Sequence, residues 1–282
     1  MVERRPLLTL LSHLVLLGGV LMVALPIWIT FVTSTHPPQA VFRAPVPMWP
    51  GDRLIENYAT VLGSGVRTSG APPVATMMAN SLVMAIGIAV GKIAISILSA
   101  FAIVYFRFPF RMLCFWTIFV TLMLPVEVRI LPTFEVVANL GMLNSYPGLI
   151  VPLIASATAT FLFRQFFLTV PDELTEAARM DGAGPLKFFW DILLPLSKTN
   201  IAALFVILFI YGWNQYLWPL LVTTDVGMYT VVMGIKRLVT VADAEPQWHL
   251  VMATTMLAML PPVLIVLLMQ RWFVKGLIEP EK

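Results

Sequence analysis

The chain has 282 residues, 59% hydrophobic and only 12% charged, with a mean hydropathy of +0.88. This excludes an ordinary soluble domain, which is about half apolar and about a quarter charged. It also excludes a membrane β-barrel, because apolar runs near the roughly 20 residues of a membrane helix recur where a barrel would show short alternating segments. The net charge of +3 is scattered through loops without a basic run, so no nucleic-acid partner is expected, and the single cysteine, Cys114, allows neither an intrachain disulfide nor a thiolate metal cluster.

The expected fold class is an all-α integral membrane protein. It forms a single transmembrane domain over 1–282, with six membrane helices at about 7–32, 75–104, 112–131, 149–167, 200–222 and 248–273. The first follows Glu3-Arg4-Arg5; it is too long for a cleaved leader, and no small-residue cleavage site closes it. His13 near its start reads as an interfacial or packed residue, since nothing in sequence pairs with it. Prolines throughout 33–74 forbid long regular structure there and leave room for one short helix over 54–63.

Span two contains GIAVGK, ending at Lys92. Only three residues separate its glycines, and Ile93 stands where a phosphate-binding loop needs Ser or Thr for magnesium, so it is not a P-loop. The Gly87-xxx-Gly91 spacing instead puts two glycines on one helix face, and Ser96 and Ser99 continue a run of small residues towards Ala100, which suits close helix packing. Lys92 costs about 2.5 to 3.5 kcal/mol inside a membrane unless it is solvated or paired. It either faces an aqueous path, snorkels, or pairs with Glu127. Span three begins after the basic turn 105–111 and ends where Pro125 and Pro132 bracket Glu127 and Arg129. These opposite charges, two residues apart, share no helix face unless the backbone unwinds. Arg129 is therefore a candidate path residue or an interfacial anchor.

The polar interruption 168–198 organises the chain. Asp172, Glu173 and Glu176 suit the positive end of a helix dipole, and Ala177 and Ala178 are strong helix formers. Asp181-Gly182-Ala183-Gly184-Pro185 breaks that helix, and a second begins near Pro185 with Phe188, Phe189, Ile192 and Leu193 on one face. The product is a two-helix elbow with small residues and exposed aromatics at its tip. By periodicity alone it also fits an amphipathic connector lying on the membrane. Span five holds YGWNQYLWPLL, where Asn214 and Gln215 are expected as buried amides between tryptophans. They are either satisfied amides of an aromatic belt or part of a substrate path. Six spans put eleven of the 18 Lys and Arg on the side of the termini and six opposite, with Lys92 between. The termini and 168–198 are thus expected in the cytoplasm.

The spacing of EAARMDGAGPLKFFWDILLP, from Glu176 to Pro195, resembles the EAA loop of ABC importer permeases. Over nearly the whole chain, Glu56-Asn57-Tyr58, Asn80-Ser81 and Trp213-Asn214 resemble the carbohydrate-type members of the maltose kind. The stretches 106–111, 121–146, 155–167 and 211–221 are most similar to the smaller-permease branch that serves sn-glycerol-3-phosphate import. The resemblance implies a bacterial inner-membrane, multi-pass permease subunit. It pairs with a second, larger permease, two copies of a cytoplasmic ATPase that binds ATP and magnesium, and an extracytoplasmic substrate-binding protein. It further implies a coupling role for Glu176, Ala177, Ala178, Asp181, Gly182 and Pro195, and no catalytic, cofactor or metal site in this chain. An organic phosphate is the expected substrate, offset by Lys92 and Arg129, with a neutral sugar as the alternative. An ion-coupled carrier would need intramembrane acids, and only Glu127 lies near a span. A membrane enzyme would need a convergent site, and His13, His36 and His249 are not spaced as ligands.

Overall fold

The computed structural model describes residues 6–42, 45–66, 70–123, 126–240 and 245–278, and among them all regular structure is helical apart from one isolated antiparallel bridge, Val66 to Ala71. Three helices are long and apolar enough to cross a membrane: Leu7–Ser34, Val74–Tyr105 and Trp248–Gln270. Two bent pairs, Tyr146–Leu153 with Ala157–Phe167 (50°) and Pro185–Leu196 with Lys198–Trp213 (70°), raise the candidate spans to five. The chain is an all-helical membrane protein with three to five candidate spans.

The described helices are α1 Pro6–Ser34, α2 Leu54–Ala59, α3 Val74–Tyr105, α4 Arg111–Met123, α5 Val126–Asn139, α6 Tyr146–Ile150, α7 Ala157–Phe167, α8 Asp172–Met180, α9 Pro185–Phe188, α10 Leu194–Leu196, α11 Lys198–Trp213, α12 Leu217–Val222, α13 Val231–Val239 and α14 Trp248–Ile278. Two expected spans are less regular than periodicity suggests. The third covers α4 and the start of α5, with 124–125 outside the described residues, and α5 continues as helix through Pro132. Arg129 therefore lies on a helix, not on unwound backbone. The fourth bends at Ile154–Ser156, where the Ser156 hydroxyl accepts from Ala159 N and restarts the helix. The fifth stops at Trp213 and resumes at Leu217.

The chain divides into two compact units, 1–75 with 234–260, and 76–233 with 261–282. In the first, the proline-rich segment is tied to the end of α1. Asn57 Nδ2 donates to Ser34 O (2.9 Å) and His36 O (3.0 Å), Gly51 N donates to Thr35 Oγ1 (2.7 Å), and Trp28 Nε1 donates to Met48 O (3.0 Å). Side-chain caps thus take over where prolines prevent a helix ladder. The exposed Arg53 and Glu56 pair across one helical turn, which holds the Arg53 guanidinium above its ordinary pKa. His13, on α1, is exposed with Nδ1 2.7 Å from Thr9 O.

The second unit is built on α3. Its core joins Met84, Ile88, Val137, Leu149, Trp218 and Val222. Gly87 and Gly91 serve the expected close packing: a Cβ on either would meet the side chain of Ile150 (2.7 Å) or Ile154 (2.5 Å). Further along α3, Ser96 Oγ donates to Ser156 O (3.1 Å). At the start of α3, Asn80 Nδ2 donates to Gly227 O (2.7 Å) and Tyr229 O (3.0 Å), and its Oδ1 accepts from the Tyr146 hydroxyl (2.8 Å). Ser81 Oγ accepts from Val231 N (2.8 Å).

Candidate functional site

The elbow is built from local rules. Asp172 and Glu173 occupy the first turn of α8, and at its end Ala183 N donates to Ala178 O (2.8 Å) while Gly182 N donates to Arg179 O (3.0 Å). This is a Schellman turn, with Gly182 in the left-handed region at φ +72°. Pro185 then opens α9, which passes through a wide turn over Phe189–Leu193 into α10. Phe188 and Phe189 are buried, so they do not form the expected exposed aromatic tip. Their ring centroids lie 5.2 Å from Tyr105 and 5.0 Å from Phe101, pinning the elbow to the end of α3. The most exposed apolar residues are Met180 (81%), Leu186 (70%) and Trp190 (62%). Glu176, Ala177, Asp181, Gly182 and Pro195 are exposed, whereas Ala178 is buried against a cleft of about 220 Å³ bordered by Arg107, Thr175 and Arg179.

The second place is the break between α11 and α12. Lys92 is buried at 7% exposure with 18 residues of α3 before it and 13 after, and its Nζ lies 3.9 Å from the centre of the Tyr211 ring. A desolvated ammonium over an aromatic face is worth about 2 kcal/mol, which compensates part of its burial. Arg129, exposed on α5, is close enough to act on Lys92 electrostatically. The Glu127 side chain, the other suggested partner of Lys92, lies outside the described residues.

Two expectations for span five are corrected. Asn214 is exposed and Gln215 half-buried, because α11 ends one residue earlier and both amides fall in the break. Gln215 Nε2 donates to Tyr211 O (3.1 Å), closing the end of the helix. The rings of Trp213 and Trp218 are buried within the chain, and Trp218 Nε1 donates to Gly148 O (3.1 Å). Gly212 lets this segment approach α3, since a Cβ there would stand 2.9 Å from Ala85 Cα. The structure thus sets Lys92 over the ring of Tyr211 and Gln215 on its carbonyl, and sequence reasoning did not single out Tyr211. A lone tyrosine in an aromatic-rich helix carries no signal of what lies over its face.

An elbow pinned to the end of α3 and a buried lysine near a broken helix, in a chain of membrane helices, suit a transport component. Residues 92–279 match the family of binding-protein-dependent transport system inner membrane components, and the chain belongs to that family. It is an inner-membrane permease component and not itself the ATPase. Over all 282 residues, and the full length of each relative, it is 60% identical to the sn-glycerol-3-phosphate transport system permease protein UgpE of Brucella melitensis biotype 1 and of Rhizobium meliloti. It is 58% identical to that of Yersinia pestis biovar Antiqua. The fold is also that of a chain in the crystal structure of a bacterial ABC transporter involved in the import of the acidic polysaccharide alginate, with a TM-score of 0.82 at 22% identity, covering 97% of this chain and 99% of that one.

Proposed function

We propose that this chain is the permease subunit of an ATP-driven ABC importer for sn-glycerol-3-phosphate or a closely related organic phosphate. The observation that carries the reading is the 60% identity, end to end, with permeases of sn-glycerol-3-phosphate transport systems. The chain acts as one transmembrane domain of six spans with both termini in the cytoplasm. It pairs with a second, larger permease to enclose the path. An extracytoplasmic binding protein delivers substrate, and two ATPase copies hold ATP and magnesium.

In this reading the exposed face of the elbow, with Glu176, Ala177, Asp181 and Gly182, docks into the ATPase, while buried Ala178 seats the helix and Pro195 shapes its return. Its aromatic anchorage to α3 suits a rigid lever. ATP closes the ATPase dimer, the elbow moves with it, and the bundle exchanges inward-facing for outward-facing states. Lys92 and Arg129 offset the charge of a phosphate in a low-dielectric path, and Asn214 and Gln215 lend polar groups where the helix is broken.

The test is ATP-dependent uptake by the reconstituted four-component complex, offered glycerol-3-phosphate and maltose side by side, with Gly182→Pro as the coupling control. Uptake of the phosphate alone, lost in the control although the complex assembles, supports the reading. Uptake of the neutral sugar instead would keep the permease role and remove the phosphate roles of Lys92 and Arg129.

A further inference from the structure

The group that packing sets against the Lys92 ammonium is the face of the Tyr211 ring, with Nζ 3.9 Å from the ring centre. Among the described side chains Lys92 has no ion-pair partner and donates no hydrogen bond, and the Tyr211 hydroxyl is likewise unbonded. The ring, and not the phenol, therefore makes the contact. Three contacts fix that ring without help from the lysine. The Tyr211 carbonyl accepts from Gln215 Nε2 (3.1 Å). The next residue, Gly212, lies so close to α3 that a Cβ there would stand 2.9 Å from Ala85 Cα. The Tyr211 side chain packs on the core that includes Met84, Ile88 and Trp218.

Lys92, by contrast, carries its charge as a point on a flexible four-carbon stem, which sets no direction of its own. Arg129 is close enough to repel it, and α5, which bears Arg129, is held to the same core through Ile130 and Phe134. Two like charges carried by one core move apart unless the flexible one is held. An electron-rich ring face holds it, because it attracts a cation without neutralising the charge. We infer that Tyr211 is a positioning residue for transport: its ring keeps the Lys92 ammonium beside Arg129, so that the two cations act on one anionic group of the substrate. This rests on the reading in which Lys92 and Arg129 meet an organic phosphate, and it adds the residue that aligns them. Tyr211 acts through Lys92 and needs no contact with the substrate.

The test uses the complete importer in vesicles, with substrate-loaded binding protein at saturation. Position 211 is varied as Tyr211→Phe and as the same substitution carrying one, three or five ring fluorines. Fluorine draws electrons from the ring face and leaves its shape nearly unchanged, so the series weakens the hold on a cation and spares the packing. Uptake of glycerol-3-phosphate should fall stepwise along the series, about tenfold in all, while ATP hydrolysis stimulated by the loaded binding protein stays within about twofold. In a Lys92→Met background the series should be flat. A merely structural role would lower uptake and hydrolysis together, in Tyr211→Leu but not with fluorine. If the ring with five fluorines prevents assembly, the slope from none to three decides. A flat series in the native background, with Lys92→Met impaired, overturns the inference and leaves the substrate reading standing. A fall that persists in Lys92→Met overturns it as well, because the ring then acts through another group. Unchanged uptake in Lys92→Met itself overturns both.

Discussion

The ammonium of Lys92, in the interior of α3, stands 3.9 Å from the centre of the Tyr211 ring in the last turn of α11. The ring supplies an electron-rich face and no full countercharge. Lys92→Met should reduce uptake of glycerol-3-phosphate by about tenfold or more, the equivalent of about 1.4 kcal/mol, while the complex still assembles. Uptake measured against assembly in the same vesicles checks this; unchanged uptake would place Lys92 outside the path. Tyr211→Phe, which keeps the face, should behave as the native chain, whereas Tyr211→Leu should lower thermal stability by about 1 to 2 kcal/mol.

Gly182 and Gly184 make a matched pair. A Cβ on either would meet nothing within 4 Å, but Gly182 has φ +72° and Gly184 has φ −72°. Gly182→Ala should therefore strain the turn by about 1 to 2 kcal/mol and weaken coupling of ATP hydrolysis to uptake, while Gly184→Ala leaves both unchanged. The ratio of uptake to ATP hydrolysed in the reconstituted complex separates the two.

Gly212 has the opposite constraint, being limited by space. With Ala85 Cα 2.9 Å and Ala85 O 3.3 Å from the position of a Cβ, Gly212→Val should push α11 off α3 at a cost of about 1 to 3 kcal/mol. A lower melting midpoint of the purified permease pair is the expected result.

Asn80 satisfies two backbone carbonyls and the Tyr146 hydroxyl. Asn80→Leu leaves all three unpaired and should cost about 1 to 3 kcal/mol. Tyr146→Phe removes a single bond and should cost about 1 kcal/mol, read by the same melting experiment.

Much of the elbow was legible in sequence because its rules are local. Acidic residues mark the start of α8, Gly182 its Schellman end, and Pro185 the start of α9, each acting within a few residues. The glycine pair of α3 was legible as a packing face, although not that Ile150 and Ile154 fill it. Asn214 and Gln215 were misplaced because hydropathy does not register a helix break. A polar pair in an apolar run reads as buried whether the helix continues or stops. Phe188 and Phe189 were assigned to one face correctly, but whether that face meets solvent or α3 depends on a partner helix some eighty residues away in sequence.

The sequence by itself determined that this is a helical membrane protein, where its apolar runs lie, and the motif of its polar loop, because chain length against bilayer thickness and local backbone preference are one-dimensional properties. Only the tertiary structure decided what Lys92 faces, what Asn80 and Ser81 tie together, and which side of the elbow is free. Those outcomes rest on contacts between residues remote in sequence, and a buried cation or amide takes its meaning from whichever group packing sets against it.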